Sequence, residues 1–426
     1  MKKIISAFGY LIYLLVAVAL ILGLLEGGLR LGGYVPRWGS FRASFDSEVY
    51  KPVRNAQGQE FRRTDPRFLS VFQDQSFPVD KGNALRVFAI GGSSTYGWGM
   101  ENSLDDSYIK VFERDFKKRY PNRPIEAINS GGIGYGSFRE TALAHEITTY
   151  HPDLLLIYAG HNEFWEYPIY VKHVKDTSWR ERASSRLEGS RLFEFMRDMM
   201  VKANQKVFRV PTLFNGSYEE FDDAKYRWVL QRFEANLRDI LRTAHQRNVQ
   251  VIVSTLGANL QVDPDVKSDW LSDASHHLSA LSPTALQQWQ TDFDEGLAAS
   301  RAGNCKRAIA ILSQAVAIDP TYARTYHELG ACQEKLGQFD AAYESYWKHI
   351  DWSRRLVVRD INRTIIRVCD EEGVAWVDGQ AALEAQVPHR ITGYGLFVDS
   401  MHPNREGHRV IGDLFFSKYE QIAGKQ

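Results

Sequence analysis

The sequence predicts an α/β protein on a parallel β-sheet, with an all-α repeat inserted late in the chain and a membrane-length helix at the amino terminus. Three observations predict it. Short apolar runs ending in glycine alternate with segments of helical period; a set of small residues recurs at a spacing of 34; and an uncharged stretch of 22 residues opens the chain. Parallel strands are buried on both faces and read as continuous apolar runs, whereas helices between them show a 3.6-residue period.

Lys2 and Lys3 precede Ile4–Leu25, which carries no charge. As a helix it rises roughly 33 Å at about 1.5 Å per residue, enough to cross a bilayer. A cleaved signal peptide has an apolar region of roughly 7 to 15 residues and then a small-residue site. Ala17 and Ala19 form such an A-x-A, but the apolar run continues through Leu20, Ile21, Leu22, Leu24 and Leu25, so a retained anchor over 1–26 is expected. The two lysines favour a cytoplasmic amino terminus, with everything after Glu26 on the far side, the periplasm or cell surface in a bacterium. Residues 27–83 read as an aromatic and polar lead-in with weak alternation around Phe41–Tyr50.

The sheet begins at Leu85–Ile90, closed by Gly91 and Gly92. Ile125–Asn129 and Asp153–Tyr158 follow, closed by a glycine cluster and by Gly160. Phe233, Leu237, Ile240, Leu241 and Ala244 recur at helical spacing before a fourth strand, Val249–Ser254; Val358, Ile361, Ile365 and Val368 do so before a fifth, Val374–Val377. This βα alternation implies a parallel sheet with helices on both faces. It occupies 84–260 and 352–426.

Between the two parts, over 283–351, Gly296, Gly303, Ala308 and Leu312 recur 34 residues later as Gly330, Gly337, Ala342 and Tyr346, and Pro320 closes the first copy. A helix-turn-helix period of that length, with small residues where helices cross, looks like the tetratricopeptide repeat. Two copies are fewer than the roughly three that stand alone, so the insert must lean on its host. Its two readings are a face for a protein partner and a segment that packs on the main domain.

Composition narrows the function. The 426 residues hold 52 Lys+Arg and 52 Asp+Glu, a formal charge of zero, so nothing global favours a nucleic acid. Aromatics at 12% exclude a disordered chain. Cys305, Cys332 and Cys369 lack CxxC spacing, which removes zinc ribbons and a disulfide framework and leaves room for one bridge, with Cys305 and Cys332 the pair in question. His145, His151, His161, His276, His277 and His408 stand in no closed-site pattern, so no metal is expected. The glycine cluster 131–136 is not a dinucleotide fingerprint, because G-x-G-x-x-G would need glycine at Ser137.

The chemistry sits where strands end. Gly91-Gly-Ser-Ser-Thr-Tyr-Gly97 places the Ser93 hydroxyl at the carboxyl end of a parallel strand, where open α/β sheets bind ligands. The helix that follows offers N–H groups and a positive dipole to a developing oxyanion. The second strand leads to Gly134 and the third to Asn162, a backbone N–H and a side-chain amide able to donate to a tetrahedral oxygen. Near the carboxyl terminus, Asp399-Ser-Met-His402-Pro403 precedes a last helix, Arg405–Ile422. A carboxylate three residues before an imidazole can hold its far nitrogen, leaving His402 as general base for Ser93. The bland alternatives are a simple turn at Ser93, a helix cap at Asn162 and a surface imidazole at His402.

These four blocks, in this order, resemble the SGNH or GDSL hydrolase superfamily. The resemblance covers Leu85 to about Gly257 and Leu356 to about Ile422. It implies a three-layer α/β/α flavodoxin-like fold, a catalytic Ser93, His402 and Asp399, and an oxyanion hole from Ser93, Gly134 and Asn162. It also implies a serine esterase acting through an acyl-enzyme without a cofactor, which together with the expected anchor gives a membrane-anchored extracytoplasmic enzyme. Gly92 and Glu163 stand where the family often has Asp. The substrate expected is an ester, on an acylated glycan or a lipid. Two alternatives stay open: an O-acyltransferase of envelope glycans using the same triad, and an interaction scaffold with an inert hydrolase domain. Within 165–225, the basic stretch Val171–Val210 has ten Lys or Arg against five Asp or Glu interleaved with apolar residues. It reads as a cap over the site or as an amphipathic segment on an anionic membrane surface.

Overall fold

The computed structural model describes residues 2–34, 48–167, 190–193, 195–196, 199, 223–262, 281–353 and 357–424. The expected alternation at 41–47 and nearly all of the basic cap segment lie outside them. The chain divides into two compact units.

The first unit holds the described residues of Met1–Lys51, Thr64–Asp74 and His173–Glu219. Its helix α1 (Lys2–Leu31) includes a stretch, Ile12–Leu31, long and apolar enough to cross a membrane and unburied along its length. Near its end Glu26 pairs with Arg30 at 2.7 Å and accepts from the Ser190 hydroxyl and the Arg191 and Leu192 amides at 2.8 to 3.0 Å. Elsewhere in this unit the Asp65 amide donates to the Val49 carbonyl, and Phe68 packs edge-on against Phe72.

The residues read as a lead-in contain three short strands, β1 (Tyr50–Arg54), β2 (Glu60–Thr64) and β3 (Ser76–Pro78), in the order β1-β2-β3, with β2 and β3 antiparallel. No periodic signal announces them, because YKPVR and EFRRT mix polar and apolar residues without alternation.

The second unit is built on five parallel strands: β4 (Leu85–Gly91), β5 (Ile125–Gly131), β6 (Leu154–Tyr158), β7 (Gln250–Ser254) and β8 (Ala375–Val377). Their order is β5-β4-β6-β7-β8, the second-first-third-fourth-fifth arrangement of flavodoxin-like sheets. Strands β4 and β6 are buried along their whole length, so both faces are covered.

One helix layer pairs α3 (Tyr108–Arg119) with α12 (Arg405–Ala423). Tyr108 stacks on Phe415, and the Gly412 backbone sits so close to Val111 that a Cβ there would lie 2.4 Å away. The other layer comprises α4 (Ser137–Ile147), α5 (Asp223–Gln246) and α10 (Val358–Glu372), where Arg238 bridges Glu234 and Glu372 at 2.9 and 2.8 Å. The short α2 (Ser93–Tyr96) follows β4, and α11 (Gly379–Glu384) follows β8.

Between β7 and α10 the described residues form four consecutive helices: α6 (Pro283–Arg301), α7 (Cys305–Ile318), α8 (Ala323–Lys335) and α9 (Phe339–Trp352). The residues that recur in sequence perform the same task in both hairpins. A Cβ at Gly296 would sit 2.6 Å from Leu312, and one at Gly330 would sit 2.9 Å from Tyr346, so each glycine lets its pair of helices close. All three cysteines are buried free thiols, so no bridge joins Cys305 to Cys332. A buried core shared by α6, α7 and α8, with Trp289, Phe293, Leu312 and Leu329 in it, holds this region together instead.

Candidate functional site

The site forms where β4 and β6 part, at the carboxyl ends of the strands and at the point where strand order reverses, the usual crevice in open α/β sheets. Ser93 opens α2, which lasts only four residues before Gly97 turns out of it. The expected dipole is therefore that of one turn, and the local N–H groups matter more than a macrodipole.

Gly92 precedes the serine. A Cβ here would fall 2.5 Å from the Asn162 amide nitrogen and 2.9 Å from the Tyr135 carbonyl. The glycine is what lets the β5 and β6 loops close on the nucleophile turn, which explains why no aspartate stands at this position.

The Ser93 hydroxyl lies 2.7 Å from His402 Nε2, and His402 Nδ1 lies 2.6 Å from Asp399 Oδ2. With the carboxylate accepting from Nδ1–H, Nε2 is left as acceptor for the serine proton. Ser93 and His402 are both buried. The other carboxylate oxygen of Asp399 accepts the Met401 and His402 amides at 3.0 and 2.9 Å, which folds the four residues into one turn. Burial raises the Asp399 carboxyl pKa, but hydrogen bonding and charge from His402, with the two amides, outweigh it and hold the group below its usual value. It is a fixed anion against the imidazole.

Gly134 adopts φ +71°, a conformation that favours glycine. Its N–H and that of Ser93 take no acceptor among the described residues. One hydrogen of the Asn162 amide goes to the Tyr135 carbonyl at 2.7 Å, and the amide group carries a second. The Asn162 side chain does not cap the following turn, where the backbone carbonyl receives the Trp165 and Glu166 amides. The structure thus brings Ser93, His402 and Asp399 into one hydrogen-bonded row, with Asn162 against Gly92 and Gly134 one residue from Tyr135.

Around Glu163, several residues carried no signal in the sequence. Arg139, fully buried, donates to the Gly134 carbonyl and to Glu166, and lies 4.2 Å over the Tyr135 ring. Glu163 accepts the Ser137 amide and hydroxyl at 2.9 and 2.6 Å, and Glu166 accepts the Phe138 amide at 3.1 Å. The two carboxylates capping α4 come from the turn that follows Asn162, so the β5 and β6 loops are locked together. Burial, with Glu166 close by, pushes Glu163 up to about 8 despite its hydrogen bonds. Glu140, fully buried among these acids, is pushed well above its usual value by burial and by Glu163 and Glu166.

On the other side, the Ser94 hydroxyl donates to the Met401 carbonyl at 3.2 Å, bracing the loop that carries His402. His161 donates from Nε2 to the Gly257 carbonyl at 3.1 Å, and burial lowers its pKa to about 4, so it is a neutral structural imidazole. His408 is another, accepting the Tyr108 amide. Trp98, half-exposed, stands at the rim with its ring 6.4 Å from that of His402. Among the described residues no cluster of three or more potential metal ligands occurs.

No family model and no curated protein matches the chain. Solved structures similar to it include an acetylxylan esterase from Geobacillus stearothermophilus, at 13% identity and a TM-score of 0.37, covering 79% of this chain and 94% of that one. A GDSL-like lipase from Bacteroides thetaiotaomicron is similar at 12% identity and a TM-score of 0.35, covering 79% and 89%. A psychrotrophic esterase from a Pseudoalteromonas species is similar at 8% and 0.35, covering 80% and 99%. Likeness at this level bears on neither activity nor substrate.

Proposed function

We propose that this chain is a membrane-anchored serine ester hydrolase working outside the cytoplasm, with 84–260 and 352–426 as its catalytic domain. The observation that carries the reading is the row from Ser93 through His402 to Asp399, joined at 2.7 and 2.6 Å across 309 residues of chain. In this mechanism His402 takes the Ser93 proton as the hydroxyl oxygen attacks the ester carbonyl. Asp399 stabilises the imidazolium, and the Ser93 and Gly134 N–H groups with the Asn162 amide receive the oxyanion. His402 then protonates the leaving alcohol, and water, activated by the same imidazole, releases the acid from the acyl-enzyme. No cofactor enters any step.

The substrate class is an ester on an acylated glycan or a lipid, consistent with the half-exposed Trp98 at the rim and with α1 as the anchor. Labelling of the full-length protein by a fluorophosphonate, together with p-nitrophenyl acetate hydrolysis, tests the assignment. Ser93→Ala should lose the label and reduce turnover by a factor on the order of 10⁴ to 10⁶. A fully active, labelled Ser93→Ala protein would contradict the assignment.

A further inference from the structure

The histidine loop is not held by the sheet. Asp399 and His402 lie more than twenty residues beyond β8, in a segment whose supports can be traced contact by contact to the helical insertion. His389 and Arg390 are consecutive non-glycine residues at φ 57° and 63°, a left-handed conformation that side chains disfavour and that persists only where surroundings enforce it. Both sit on α9. The His389 ring lies face to face on Phe339 with centroids 3.4 Å apart, and the Arg390 guanidinium lies 4.2 Å over the Tyr343 ring. The Arg390–Asp340 ion pair at 3.3 Å involves a fully exposed carboxylate and adds little.

From this turn the chain runs to Thr392, whose carbonyl accepts the Leu260 and Gln261 amides and whose hydroxyl donates to the Ala258 carbonyl. The segment following β7 is in turn gripped by α8, since Gln261 Nε2 donates to both Glu334 oxygens at 2.9 and 3.2 Å. Tyr346 of α9 holds the same carboxylate at 2.8 Å. Two residues before Gln261, Asn259 pairs its amide N–H with the Ser400 carbonyl at 2.9 Å and its side chain with the Asp399 carbonyl at 3.1 Å.

We propose that the insertion is a clasp in cis, whose Glu334 and Tyr343 position the Asp399–His402 loop through Gln261, Asn259 and the strained turn at Arg390. This rests on the hydrolase reading and gives the insertion a task in that reaction. Glu334, Tyr343 and Arg390 are positioning residues, acting on the imidazole through the backbone that bears it.

The test uses the full-length protein and p-nitrophenyl acetate, with Arg390→Gly, Glu334→Ala and Glu334→Gln. A φ of 63° suits glycine, so Arg390→Gly removes the ring contact without threatening the backbone. Arg390→Gly and Glu334→Ala should lower kcat by about 2- to 30-fold at little change in KM, the range seen when elements remote from a site bias it. Glu334→Gln, able to keep the Gln261 contact, should restore most of the loss. Folded Arg390→Gly and Glu334→Ala proteins with wild-type kcat, or a Glu334→Gln protein no better than Glu334→Ala, would overturn the clasp. Fluorophosphonate labelling separates the failures: a wild-type protein that is not labelled at Ser93 overturns the hydrolase reading, and the clasp with it.

Discussion

The two halves of the candidate site are positioned by different means. Ser93, Gly134 and Asn162 follow β4, β5 and β6, three neighbouring strands whose register is set by a buried parallel ladder. Asp399 and His402 sit on a loop whose neighbours are the Ser94 hydroxyl, the Asn259 amide and, beyond these, the insertion. Strand ends need only glycine at the close approaches, as at Gly92, to bring donors together. A loop far from the sheet must be tied by polar contacts, each of which is a separate place where the geometry can be lost. The strand half should therefore respond to substitution in discrete steps, one donor at a time, and the loop half through the orientation of a single ring.

The sharpest way to break the comparison is at the carboxylate. Asp399→Asn keeps the shape but offers the imidazole an amide, which favours the tautomer with its proton on Nε2, facing Ser93. Turnover of p-nitrophenyl acetate should fall by a factor on the order of 10⁴, as when a triad carboxylate is neutralised. A loss of less than tenfold would mean that the ring is oriented by its other contacts. On the strand half, Asn162→Ala removes one donor and should cost on the order of 10² to 10³ in kcat with KM little changed. If KM rises instead while kcat holds, Asn162 binds the ground state and the oxyanion is held elsewhere.

The same division governs what the sequence made legible. The strands of the sheet could be read because buried parallel strands are largely apolar runs, and the Ser93, Gly134 and Asn162 blocks because each follows such a run, whereas Asp399 and His402 were legible from their own spacing ahead of the last helix. The close approach of paired helices was legible at Gly296 and Gly330, whose spacing reflects a steric need at each helix crossing. Arg139 and Glu166 were not, since a buried ion pair between α4 and the turn after Asn162 leaves no periodic trace. Nor were Gln261 and Glu334, 73 residues apart and joined only in the folded chain. The left-handed backbone at His389 and Arg390 was invisible for a related reason: the turn is imposed by α9 and not by a glycine of its own.

The smallest expected effect concerns stability, and it sets two neighbours of Asn162 against each other by sign. Burial pushes Glu163, just after Asn162, up to about 8, whereas burial lowers His161, just before it, to about 4. A carboxyl whose pKa is raised on folding binds more protons in the native state than in the unfolded one between about 4.5 and 8, so its contribution is lost as pH rises through that range. An imidazole whose pKa is lowered does the opposite, and its contribution is lost as pH falls from about 6.5 towards 4. Asp399, held below its usual value, adds to the loss on the acid side. From pH 6.5 to 8 the Glu163 effect acts without opposition from His161. Stability from urea titrations should decline there by on the order of 1 kcal/mol per pH unit, one proton's worth of linkage. In Glu163→Gln, where nothing at that position can ionise, the slope should flatten while the acid-side loss remains. A variant that keeps the wild-type alkaline slope would assign it to Glu140, the other carboxyl raised by this burial, and make Glu163 an anion in the folded protein.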